Sequence, residues 1–340
     1  MLFNSMEFIA GFLPVVLLGF FLLTGSGRQR LAVTWLTVVS LVFYGWWNPV
    51  YVPLLVGSML FNYLLGGYLR RHPSRRILAL AGDANALLLV YYKYTGFLFS
   101  TLDAALELGW RVEDMILPLA ISFFTFQQIA YLVDAAEGES TDYGLVDYCL
   151  FVTFFPQLIA GPIVHHKDLM PQFGRPENLR FSHEGFALGL AFFTVGLWKK
   201  VVLADQLATY AAPVFGAAAT HALTAAEAWT GALAYSLQLY FDFSGYSDMA
   251  VGLGLLFGVR LPFNFNSPYQ ATDIIDFWRR WHITLSEFLR DYLYIRLGGN
   301  RHGKARRYLN LFLTMVLGGL WHGAGWTFIA WGALHGVYLI

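Results

Sequence analysis

His322 stands where a polar side chain is hardest to explain. Residues 308–340 read YLNLFLTMVLGGLWHGAGWTFIAWGALHGVYLI, with no carboxylate and with His322 and His335 as the only candidate cations. A stretch that apolar reads as a membrane span, and an ionisable group inside a span is costly enough to mark a functional site. A neutral imidazole there can take a proton from a hydroxyl, which is the work of a general base. The alternative is a histidine that packs and hydrogen-bonds a neighbouring helix. Gly318, Gly319, Gly323 and Gly325 flank the residue. The expectation is that they clear side-chain bulk from around the imidazole, so that a reactant can approach.

A second histidine lies in the run FWRRWH, where Trp278 and His282 are four positions apart; His322 and Trp326 repeat that spacing. On a helix, residues at that spacing share a face, so each histidine is expected to have a tryptophan neighbour. Asp242 and Asp248 interrupt the apolar run LYFDFSGYSDMA. Two readings are open for them. They orient a histidine, as a carboxylate does in hydrolase triads, or they pair with Arg279, Arg280 or Arg290 to hold the fold. Arg279, Arg280, Arg290, Arg296, Arg301, Arg306 and Arg307 form a cationic rim suited to a phosphorylated donor or to lipid phosphates.

Other chemistries lack their residues. The chain has no G-x-S-x-G elbow, no H-E-x-x-H pair and no P-loop. Gly252-Leu-Gly254 sits in a helix-like apolar run and reads as packing glycine rather than a dinucleotide fingerprint. His165 and His166 are adjacent, not at ligand spacing, and Cys149 is the sole cysteine, so neither a metal centre nor an internal disulfide is expected. No histidine is followed five positions later by aspartate, since His282 is followed by Glu287. The reading left is histidine-based catalysis without a covalent enzyme nucleophile.

The elements that must position these residues follow from composition. The 340 residues are 57% hydrophobic and only 13% charged, with 30 Phe, 19 Tyr and 11 Trp. Soluble domains carry about 25% charge, so an all-α polytopic membrane protein is indicated. Net charge is zero and basic runs are short, which excludes nucleic acid as a partner. Apolar segments of spanning length fall near 8–24, 31–47, 50–69, 77–100, 116–134, 145–163, 184–204, 228–258 and 308–340, the last two read as broken or tilted. The N-terminus lacks a basic region and cleavage site and is expected to remain as the first span. Arg70–Arg76, RRHPSRR, places that loop in the cytoplasm and the N-terminus outside. Residues 261–307 and 161–180 mix charge, aromatics, Pro and Gly. They read as irregular or re-entrant segments, which membranes tolerate only where protein or a cavity surrounds them. No long polar linker divides the chain, so residues 1–340 read as one membrane domain.

At this point the motifs resemble a family. GDANALLLVYYKYTGFL, LPLAISFFTFQQIAYLVD, FFPQLIAGPIV, GLWKKVVLAD, QLYFDFSGYSDMAVGL, LPFNFNSPY, DFWRRWHITLSEFLRDYLYI and LGGLWHGAGWTFIAWGALHG resemble the membrane-bound O-acyltransferases, in the bacterial branch that includes alginate O-acetyltransferase. The resemblance implies a ring of transmembrane helices around a central tunnel in the bacterial cytoplasmic (inner) membrane. It places the essential family histidine on His322 and the second on His282. It also implies no bound cofactor. An acyl thioester, acetyl-CoA, enters from the cytoplasm as donor. The acyl group passes to an extracytoplasmic partner acyltransferase or to an exported polysaccharide such as alginate, with membrane lipids around the protein. The chain departs from the family's RDYLYIPLGG in having Arg296 for proline, which is expected to alter the turn before Gly298. It also ends at Ile340 within an apolar run where family members continue, so a C-terminally truncated or short member is expected. Two alternatives stay open: D-alanyl transfer to teichoic acid, and, in a different class, a proton-coupled transporter using intramembrane His and Asp.

Overall fold

A computed structural model describes residues 1–107, 109–110, 115–175 and 177–340; part of the interspan segment LDAALELGWRVED lies outside the described residues. The described residues are helical, and among them no β-sheet occurs. They divide into two compact units, Met1–Pro49 with Cys149–Val164 and Asp168–Asn264, and Val50–Tyr148 with His165–Lys167 and Phe265–Ile340. Among them three helices are long and apolar enough to cross a membrane: Glu7–Gly25, Pro49–Arg71 and His183–Ala218.

In the first unit, helix His183–Trp198 continues through a π-turn, Lys199–Ala204, into Asp205–Ala218, and packs on the 32-residue helix Ala225–Leu256. Glycine makes that packing possible. A Cβ on Gly196 would lie 2.5 Å from the Gly245 carbonyl, and one on Gly252 would lie 2.5 Å from the Phe193 amide. Only glycine allows backbones to approach so closely. Gly254, the other glycine of that pair, packs against the Val259 carbonyl and Leu261, as the packing reading expects. Thr224 and Glu227 start the long helix with a reciprocal capping box. Phe3, Phe8, Phe43, Phe155 and Phe257 are fully buried and form the unit's aromatic core.

The second unit holds Val52–Arg71, Arg75–Leu89 and Ile121–Ala136 together through a buried amide network. Asn62 donates to Asn85 and Gln128, both at 3.0 Å, and Asn85 returns a bond at 2.8 Å. Gln128 also donates to Ser58 at 3.0 Å. In an apolar surrounding, fully satisfied amides specify which helices meet.

Several expected spans are interrupted. Residues 308–340 form two helices, Gly303–His322 and Trp326–Tyr338, and the break falls directly after His322. Residues 77–100, by contrast, lie in a helical run that continues without a break from Arg75–Leu89 through a π-turn at Val90–Tyr94 into Thr95–Leu106. Residues 145–163 are not a span: they give the nine-residue helix Leu145–Thr153 and a short turn at Phe155–Leu158, stopped around Pro156. Conversely, Ala225–Leu256 is one unbroken helix. The irregular character expected of 261–307 is present, as short helices Ile274–Arg280 and Ile283–Leu289 and a π-turn at Arg290–Tyr294.

Candidate active site

The second unit brings His282 and His322 together, with ring centroids 6.5 Å apart at an interplanar angle of 62°. They differ in exposure: His282 is buried and His322 keeps open surface. His282 is 1% exposed and faces the His322 ring from inside the packed unit. His282 also stands at φ +44°, left-handed backbone that non-glycine residues rarely adopt. Such strain persists only where the surroundings enforce it, and it clusters at functional sites.

That backbone changes how the tryptophans meet the histidines. Helix Ile274–Arg280 ends before His282, and helix Gly303–His322 ends before Trp326, so neither expected four-residue pair lies on one helix. His322 instead meets the Trp321 ring at 5.0 Å and the Trp331 ring nearly edge-on at 5.2 Å. Trp326 packs on Phe97. Trp278 donates its indole N–H to Nδ1 of His335 at 3.3 Å, which fixes that nitrogen as an acceptor. The His335 ring also meets Trp331 at 4.7 Å, tilted by 57°.

The glycines around His322 have a different task from the expected clearance. A Cβ on Gly323 would lie 2.1 Å from the Phe328 ring, and one on Gly319 would lie 2.3 Å from the Phe328 carbonyl. Gly332 faces the Met315 carbonyl, 2.4 Å from where its Cβ would be. The glycines thus let the two helices of the hairpin touch backbone to backbone, and this contact sets the angle at which His322 is presented. Of the four, Gly325 is the one with near-open space. Gly332→Ala is expected to cost about 1–3 kcal/mol, as overpacking does. It would appear as a thermal midpoint several degrees lower in detergent, and an unchanged midpoint would contradict the close contact.

Asp242 and Asp248 take neither expected partner. Asp248 pairs with Lys199 at 2.6 Å and Asp242 with Lys200 at 2.6 Å, locking the π-turn of the first unit onto its long helix. The arginine rim is partly neutralised as well, by Arg280–Asp276 at 2.9 Å, Arg290–Asp291 at 2.7 Å and a two-pronged Arg296–Glu137 pair. Arg296 thus gives the sequence departure a partner. Its hydrogen bonds lower the Glu137 carboxyl from its ordinary value, and Gly298 at φ +108° still makes the turn.

Sequence reasoning set His165 and His166 aside because adjacent histidines do not chelate a metal. The structure uses them otherwise. Asp134 is only 3% exposed, and its Oδ2 receives His166 Nε2 at 3.0 Å, the Tyr292 hydroxyl at 3.0 Å and Lys167 Nζ at 3.2 Å. Since Tyr292 gives its proton to Asp134, Nδ1 of His165, 3.2 Å from the same hydroxyl, is the donor in that contact. From Tyr292 a file of rings continues through Phe288 at 4.8 Å and Phe126 at 5.0 Å to Trp321 at 5.6 Å, next to His322. The available signal was a lone aspartate at the end of an apolar helix followed by an HHK run.

The site's two histidines thus fall in the two motifs WH and GLWHG. The membrane-bound O-acyltransferase family model matches residues 86–340. The chain belongs to this family. It is therefore an acyltransferase enzyme and a multi-pass membrane protein. Among its relatives is a peptidoglycan O-acetyltransferase of Helicobacter pylori, 48% identical over 371 residues that cover 100% of this chain and 70% of the relative. The probable alginate O-acetylase AlgI of Pseudomonas aeruginosa is 45% identical over 100% of this chain and 65% of its own length. A teichoic acid D-alanyltransferase of Streptococcus thermophilus is more distant, 28% identical over 65% of this chain and 56% of its own.

Proposed function

We propose that this acyltransferase moves an acetyl group from a cytoplasmic thioester, acetyl-CoA, across the bacterial inner membrane to an exported polysaccharide, with residues 1–340 acting as one domain. The observation that carries the reading is the pairing of an accessible His322 with a buried His282 in the chain's two family motifs. His322 removes the proton of an acceptor hydroxyl as its oxygen bonds to the thioester carbonyl carbon. The C–S bond then breaks, and the thiolate leaves with the proton that the imidazolium returns. No covalent enzyme ester is needed. His282 has no open path to solvent and serves to hold the geometry and polarity around His322.

The acceptor is either the polymer itself or an extracytoplasmic acyltransferase that relays the group to it, reached through a central tunnel within a ring of helices. The relatives' names favour acetyl transfer to an envelope or secreted polysaccharide such as alginate. The D-alanyl reading rests on a more distant relative, and proton-coupled transport has no such support. Membranes containing the protein, given acetyl-CoA labelled in its acetyl group, are expected to yield label in base-labile esters of the exported polymer. Label entering only from an activated D-alanine donor would replace this reading with the D-alanyl one.

A further inference from the structure

His322 is the last residue of its helix, so the carbonyls just before it have no partner from a following turn. Two consecutive side chains supply that lack. Lys93 Nζ donates to the Trp321 carbonyl and, at 3.0 Å, to Ser122 Oγ. The Tyr94 hydroxyl donates to the Leu320 carbonyl at 2.8 Å. Both residues come from the π-turn Val90–Tyr94, where the inserted residue re-aims side chains that an α-helix would point elsewhere. Lys93 has no carboxylate partner among the described residues; its charge lies between the Tyr94 ring at 5.7 Å and the Trp321 ring at 5.9 Å. A cation there faces the negative end of the helix dipole. An ammonium partly removed from water without a counter-ion is costly, and one of its two hydrogen bonds goes to the residue directly before His322.

We propose that Lys93 and Tyr94 are positioning residues for the acyl transfer, fixing the final turn of the Gly303–His322 helix and with it the direction of the His322 imidazole. The inference rests on His322 being the base. Because both side chains hydrogen-bond the backbone of the final turn itself, their loss is expected to lower turnover while leaving binding in place. A displacement of about 1 Å at a reacting group costs on the order of 100-fold.

The test measures kcat and KM for labelled acetyl-CoA with the full chain in membranes, per folded molecule, for Lys93→Met, Lys93→Arg, Tyr94→Phe and His322→Ala. Lys93→Met is expected to lose about 10- to 100-fold in kcat with KM within about twofold. Lys93→Arg, which keeps a cation and donors, recovers most of that loss. Tyr94→Phe loses about threefold to tenfold, the size of one misplaced hydrogen bond. A purely structural role would lower the amount of folded protein and leave kcat per molecule unchanged, and that result overturns the proposal. Should Lys93→Met fail to accumulate, Tyr94→Phe and Lys93→Arg preserve shape and decide the question: full kcat in Tyr94→Phe overturns it. An active His322→Ala would remove the base assignment itself, whereas an inactive His322→Ala beside a fully active Lys93→Met removes only the role of the π-turn.

Discussion

Cells carrying His322→Ala in place of the native chain are expected to lose polymer O-acetylation while keeping a normal amount of the protein in the membrane. General-base assistance contributes roughly 100- to 10,000-fold to a proton-coupled step, enough to abolish ester above background. Stability should change little, by under about 1 kcal/mol, because the imidazole is exposed and terminal. The Gly319 and Gly332 contacts that hold the helix hairpin do not involve the imidazole. Activity and folding therefore separate at this position. That separation does not extend to His282, which is 1% exposed and held in left-handed backbone, so its replacement disturbs packing as well as chemistry.

Asp134→Ala is expected to be the most destabilising single change, by about 3–5 kcal/mol, the cost of breaking a buried ion-paired group by removing one partner. The carboxylate joins three segments, the helix Ile121–Ala136, the connection at His165–Lys167 and the π-turn at Arg290–Tyr294. Without it, the Tyr292 hydroxyl loses its acceptor and Lys167 retains only its exposed partner Glu139. Tyr292→Phe removes one bond and should cost about 1 kcal/mol. Thermal unfolding in detergent, followed by loss of monodisperse protein, measures both. Equal midpoints for Asp134→Ala and the native protein would mean the hub does not hold these segments.

The two histidines and the helical class were readable because motif and composition are local properties. GLWHG and FWRRWH carry their residues wherever the chain goes, and an apolar run is apolar in any fold. What surrounds the histidines was not readable. Helical periodicity paired His282 with Trp278 and His322 with Trp326, yet both helices break at those sites; His322 meets its chain neighbour Trp321 and, through packing, Trp331. Asp242 and Asp248 had lysines available in GLWKKVVLAD, but only the glycine-mediated crossing of Gly196 on Gly245 shows that Lys199 and Lys200 reach them. The His165-His166 pair was judged by metal spacing, a rule that says nothing about hydrogen bonds to a distant aspartate. The π-turns left no sequence mark, although two of them aim Lys93, Tyr94 and Tyr292.

The proposed acyl transfer depends most on His322. One measurement addresses that directly: release of labelled acetyl groups from acetyl-CoA to acceptor hydroxyls by native and His322→Ala protein, in membranes at matched protein levels. The account predicts transfer by the native chain and a rate at least about 100-fold lower for the variant. Equal rates from the two proteins would contradict it.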